Sequence, residues 1–383
     1  MAVLGGALLA GCTVADNLSA PVMLAEVDRI VRVEGTGPGR TLHYEPRAVV
    51  SRWYIRAFAT QPIRPVLGLL FGRTSEQELA NPRAHVRELL RELPDETHAD
   101  TLLCAQAAVR LGWIAELESN TESRLCAIDG LCRMAEQLEV PLFTDLARFG
   151  EPIDGDRWNQ ARAGLAAGAP DVRTAEFGEA GRAAYAEALR LAASAPLGDG
   201  ASRLLLLEEL TRLLALEPNA ELREVASGAM RSALRHTLEG ALVRLVQGRA
   251  AEDVDLRLCA MEQIRRHGGP ATVPLLLAVM AATPAQVARG EPLYDTDPLV
   301  QLRLIQYCGQ LRGELAMATT RLPGRSGEVL LSPAQFLATL ILNQQAYYSK
   351  LRTPALVALT WSLQRPGLDP DPAWVAKWLD GNR

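Results

Sequence analysis

Metal binding and acid–base catalysis both need titratable side chains that converge. The five histidines, His43, His85, His98, His236 and His267, include no two at metal-ligand helical spacing, and no HExxH occurs. His267 sits beside Gly268 in what reads as a hairpin turn, where a histidine is solvated. Asp154-Gly155-Asp156 lacks the twelve-residue pattern and closing Glu of a calcium loop. Glu208-Glu209 reads as a solvated pair on a helix surface. Gly35-Thr36-Gly37-Pro38-Gly39 has Arg40 where a dinucleotide fingerprint would close on glycine, and neither a nucleophile elbow nor a P-loop is present. No catalytic, cofactor-binding or metal-ligating residue is assigned, and no cofactor is expected. The thiols are Cys12, Cys104, Cys126, Cys132, Cys259 and Cys308, with no CxxC pair. Cys126 and Cys259 fall at apolar helix positions and are expected to be buried free thiols. Cys12 is set apart by what precedes it.

Residues 2 to 11 are all small or apolar, and the run ends Leu9-Ala10-Gly11-Cys12. It is too short to span a bilayer but suits the apolar region of a secretory signal. The ending resembles the lipobox of bacterial lipoproteins: Leu, two small residues, then the obligatory Cys. Small residues suit a peptidase cleft that must approach the backbone closely. The resemblance implies a diacylglyceryl group on the Cys12 thiol, cleavage just before it, and a stable anchor once more than one acyl chain is attached. Thr13, where an Asp would favour inner-membrane retention, leans toward the outer membrane. The pattern departs from the family in having only Met1 and Ala2, and no Lys or Arg, before the apolar run.

The remaining chain must be carried on elements that this anchor would hold. Residues 12–45 lack a helical period and contain the breaker Gly-Thr-Gly-Pro-Gly, so a partly ordered tether with one short strand is expected. Residues 46–79 open with a stretch free of acidic residues, in which Arg47, Arg52, Arg56, Arg64 and Arg73 alternate with Trp53, Tyr54, Phe58 and Phe71. They are expected to form an N-terminal helical cap. Arg47, Arg52, Trp53, Arg56 and Arg64 could instead contact anionic lipid or a partner, and a peripheral lipid-binding role through residues 46–73 is the second alternative function.

From about residue 80 to 383 helical periodicity dominates. Arg124-Leu125-Cys126-Ala127 recurs as Arg257-Leu258-Cys259-Ala260, and Val140-Pro141-Leu142 recurs as Val273-Pro274-Leu275 at the same interval. Two matches at one offset mark an internal repeat. The second copy spells out a unit: an acidic cap, an apolar face of Leu256, Cys259, Ala260 and Ile264, a Gly268-Gly269 turn, and Pro270 opening a second helix. Arg124, Ala127, Pro141, Arg257, Ala260 and Pro274 are its signature. It resembles a short bacterial HEAT repeat. The resemblance implies an all-α solenoid of stacked helical hairpins, about five to seven of them, following the signal peptide (1–11) and tether. Looser copies are expected around Arg223 and Ala226, and at Asp297-Pro298-x-Val300, where Gln301 takes the arginine's place. Residues 99–118 are expected to form a hairpin before the first clear copy. Thr353-Pro354 and Asp371-Pro372 should start the last helices, with Trp374 and Trp378 closing the core. Residues 149–173, 282–298 and 320–333 should be long loops.

The chain carries 40 basic and 45 acidic residues, a net charge of -5. That excludes a broadly basic nucleic-acid binder, so no nucleic-acid partner is expected. The expected function is a membrane-anchored scaffold or adaptor of the cell envelope, binding an unidentified protein through the solenoid surface. HEAT-like bilin lyases or DNA glycosylases are the enzymatic alternative, and they would require a cytoplasmic chain with an unmodified Cys12.

Overall fold

Six of the described helices begin where a side chain catches backbone N–H groups that have no partner inside the helix. Asn81, Asp100, Asn120, Asp253, Asp297 and Ser332 all accept such bonds, and Ser332 completes a reciprocal capping box with Gln335. The computed structural model describes residues 19–35, 40–50, 75–144, 220–248, 252–282, 294–319, 331–343, 350–364 and 372–382, with scattered positions between 146 and 215 and at 288–289. Among them the fold is mostly helical, with two short antiparallel strand pairs near the N-terminus. No described helix is long and apolar enough to cross a membrane. The chain divides into two compact units, one formed by residues 1–140 and 156–238, the other by 141–155 and 239–383.

In the first unit, helix α1 (Ala20–Ile30) buries Met23, Leu24, Val27 and Ile30, spaced three or four apart on one face. Strands β1 (Val31–Glu34) and β2 (Thr41–Tyr44) pair with Val31 opposite Tyr44. Strands β3 (Arg47–Val50) and β4 (Ser75–Glu78) pair with Arg47 opposite Glu78. Then come α2 (Pro82–Glu96), α3 (Thr101–Leu117) and α4 (Thr121–Gln137); α4 packs on both α2 and α3, and α1 packs on α2 and α3. The first unit therefore corrects the tether expected over 12–45. Its second half is built into the core because the MLAEVDRI stretch has a buried face and a fully buried Glu26 paired with His85 at 2.6 Å. The expected cap over 46–79 is likewise bounded by strands rather than helices. Tyr44 donates to Glu118, which also accepts from the Ser119 and Asn120 N–H groups, so β2 is pinned to the α3–α4 turn. The 99–118 stretch holds the single helix α3, which pairs with α4 rather than folding back on itself.

The chain enters the second unit along α5 (Ala220–Gln247), an unbroken 28-residue helix. The hairpin expected around Arg223 and Ala226 does not form, because no proline or terminal cap interrupts the stretch and its residues propagate one helix. Next come α6 (Val254–Gly268), a 3-10 turn (Pro270–Thr272) and α7 (Val273–Met280), the hairpin that the sequence describes. Gly269 takes φ +69 and ψ -167, which only glycine adopts comfortably. Every residue of α7 is buried. The unit closes with α8 (Pro298–Gln310), the one-turn α9 (Glu314–Met317), α10 (Pro333–Leu342), α11 (Arg352–Ser362) and α12 (Pro372–Gly381). α11 packs on α8 and α10, and α12 packs on α10.

Three details depart from expectation. Val140-Pro141-Leu142 does not open a helix as Val273-Pro274-Leu275 does. Pro141 is exposed, Leu142 and Phe143 are buried, and Phe143 at φ 56 donates its N–H to Glu239. α11 starts at Arg352, one residue before Thr353, which therefore caps nothing. In α12, Val375 and Leu379 enter the core, while Trp374 and Trp378 stack on each other half-exposed at 6.5 Å.

Candidate functional site

The repeated arginines have a structural job. Arg124, Arg257 and Gln301 each stand four residues after an N-cap, in α4, α6 and α8. Arg124 donates to the Ala115 carbonyl in the last turn of α3 at 3.1 Å. Arg257 donates to the Val246 carbonyl in the last turn of α5 and, at 2.5 Å, to Asp295. Both bring positive charge to the end of the preceding helix, where carbonyls are left over and the dipole is negative. Arg352 does the same for Asn343 at the end of α10, though it lies outside the repeat register. Gln301 keeps the reach without the charge, donating to the Asp295 carbonyl. Ala127 and Ala260, three residues on from the arginines, are both fully buried. Pro274 is buried in α7. The signature residues are therefore brought into equivalent places, Pro141 excepted, and they act as joints between helices.

The first unit contains a cleft of about 400 Å³. One wall comes from α1 and β1 through Val27, Asp28, Val31 and Val33. The facing wall is one side of α3: Val109, Arg110, Trp113 and Ile114. Glu208 closes it. Gly112 makes this closure possible, because a Cβ there would overlap the Leu204 side chain, one helical turn before Glu208. The Arg110 guanidinium grips both Asp28 oxygens, at 2.9 and 2.7 Å, and its third nitrogen donates to the Gln106 carbonyl. The Trp113 indole N–H donates to Glu208, and Arg40 lies over the indole ring at 4.5 Å. Burial pushes the Glu208 carboxyl above the usual carboxylate range, against the opposing pull of the Trp113 N–H and of the Arg40 and Arg110 charges. A pocket of this size, mostly aliphatic with one perturbed acid, has the makings of a small-molecule site.

Glu208 is thus not the solvated surface carboxylate that the sequence suggests. Its register holds the signal: it falls in step with buried Leu204, Leu207 and Thr211. No spacing rule links it to Trp113, which lies far away in sequence.

The second unit exposes large apolar side chains. Trp361 is 56 % exposed and Val357 51 %, one turn apart on α11. Arg312, whose chain neighbours Leu315 and Met317 are also exposed, reaches over the Trp361 ring at 5.9 Å.

Of the other expected site residues, Arg47 lies exposed on β3, while Cys12, Arg52, Trp53, Arg56 and Arg64 fall outside the described residues, as do most of the three expected long loops. Among the thiols, Cys104, Cys132 and Cys308 are buried. Cys126 and Cys259, expected to be buried, are half-buried at the edge of their helix faces. His267 lies half-buried in the last turn of α6 rather than solvated in a turn. Among the described residues no cluster of three or more His, Cys, Asp or Glu is placed to hold a metal. No protein-family profile, characterised protein or solved structure matches the chain.

Proposed function

We infer that the protein is a lipid-anchored scaffold of the cell envelope, holding another protein against a body of HEAT-like helical hairpins. The observation that carries this reading is the exposed Trp361–Val357 strip on α11. Large aromatics carry much apolar area to bury, and interface anchors are enriched in Trp and Arg. Arg312 over the ring adds a cation that a partner carboxylate could meet. The Leu9-Ala10-Gly11-Cys12 ending supplies the anchor and the compartment. The repeated arginine joints fit a body whose helices are stacked in register.

The test is a photo-crosslinker placed at Val357 in cells, with the membrane fraction solubilised in mild detergent and the adducts identified by mass. One recurrent protein adduct is expected, lost in a Trp361→Ala background whose thermal stability is unchanged. The N-terminal peptide from the same preparation should begin at Cys12 with a diacylglyceryl mass. No recurrent adduct sinks the scaffold reading, and an unmodified Cys12 sinks the anchor.

A further inference from the structure

The polar groups of the cleft in the first unit are unequally satisfied. Asp28 and Arg110 neutralise each other through two hydrogen bonds, and the remaining Arg110 nitrogen is used by Gln106. That pairing directs each at the other. Glu208 is the less satisfied carboxylate: among the described residues its only hydrogen bond is the Trp113 N–H, whereas a carboxylate accepts at about four sites. The same cleft carries a hydrocarbon wall from Val27, Val31, Val33, Val109 and Ile114. Two carboxyls, Asp28 and Glu208, and two guanidiniums, Arg110 and Arg40, stand in or beside the cleft, with Arg110 bonded to Asp28 and Arg40 laid over the Trp113 ring.

We propose that the cleft binds a small aliphatic amine, with its ammonium on the Glu208 carboxylate and its hydrocarbon along the aliphatic wall. An ammonium brings three donors and a positive charge to the less satisfied of the two carboxylates. An alcohol would bring one donor and no charge. A carboxylate would meet Glu208 and Asp28 as like charges, with Arg110 already engaged. About 400 Å³ accommodates a chain of several methylenes, each worth roughly 0.8 kcal/mol when buried. The site is independent of the scaffold reading and stands or falls without it.

The probes are hexylammonium, 1-hexanol and hexanoate, titrated calorimetrically into the full chain. Hexylammonium should bind saturably at one site and more tightly than either analogue. Glu208→Gln should weaken it by about tenfold or more, the worth of a charge-assisted hydrogen bond, and leave hexanol unmoved. In the unsubstituted protein, hexylammonium affinity should rise as pH is raised through the Glu208 titration, because only the ionised carboxyl pairs with the cation, and hexanol affinity should not. This second readout decides the matter if Glu208→Gln fails to fold. Equal or tighter binding of hexanoate, affinity flat with pH, or no saturable binding of hexylammonium would overturn the proposal.

Discussion

Two carboxyls of the first unit titrate in opposite directions, and the cause is visible in their partners. Burial pushes Glu118 up, but bonds from Tyr44, Asn120 and Ser119 and the charge of Arg83, 3.7 Å away, outweigh it and hold the carboxyl below its usual range. Its contribution is present above the unfolded carboxylate pKa and is lost as pH falls through the lowered folded value. Glu208 is raised, so its folded form binds a proton that the unfolded form has released. Stability therefore declines as pH rises from the usual carboxylate range through the raised value. Urea unfolding across pH should show Glu208→Gln abolishing that decline, while Glu118→Gln removes part of the acid-side loss. Arg257 is a different case, a guanidinium 1 % exposed and held by Asp295. Arg257→Ala leaves a buried carboxylate without its counter-charge and should cost about 3–5 kcal/mol in urea unfolding, part of it recovered by adding Asp295→Asn. Arg124 is half-buried, so Arg124→Ala should cost less, about 1 kcal/mol.

At the scale of elements, the α6–α7 hairpin depends on Gly269. Its φ of +69 with ψ near 180° lies in a region closed to side chains. Gly269→Ala should therefore destabilise by about 1–3 kcal/mol, even though the added methyl would meet open space, and chemical denaturation resolves a difference of that size. This hairpin is legible in the sequence because every signal is local: an Asp cap, an apolar stripe, two glycines and a proline. The starts of α2, α3, α4, α8 and α10 are readable for the same reason. The strand pairs are not, since β3 meets β4 across a long stretch of chain and pairing partners leave no local mark. α5 misleads for the opposite reason. Its arginine and alanine imitate a repeat register, yet Arg223 is exposed, and nothing ends the helix where a turn is expected. The cleft is hidden because its walls come from α1, α3 and Glu208, which meet only after packing.

Across the whole molecule, the largest revision concerns where the folded body begins. Deleting the chain up to Ile30 would strip the core of Met23, Leu24, Val27 and Ile30, all 4 % exposed or less. Burial of such side chains is worth about 1.5–3 kcal/mol each, so the deletion should lower stability by several kcal/mol and the melting temperature with it. A true tether over the same residues would leave both unchanged. The glycines at Gly35 and beyond advertise a break in the chain, whereas the apolar face just before them is what packs, and the first signal masks the second.

That early start of α1 also sets a length scale. Ala20 stands eight residues beyond Cys12, and a chain spans at most about 3.6 Å per residue, so the leash on the proposed lipid anchor reaches roughly 30 Å when pulled taut. A body so tied would sweep a layer of water no thicker than a small domain. Whatever enters the cleft of the first unit would have to come down to the membrane, because that unit could not rise to meet it.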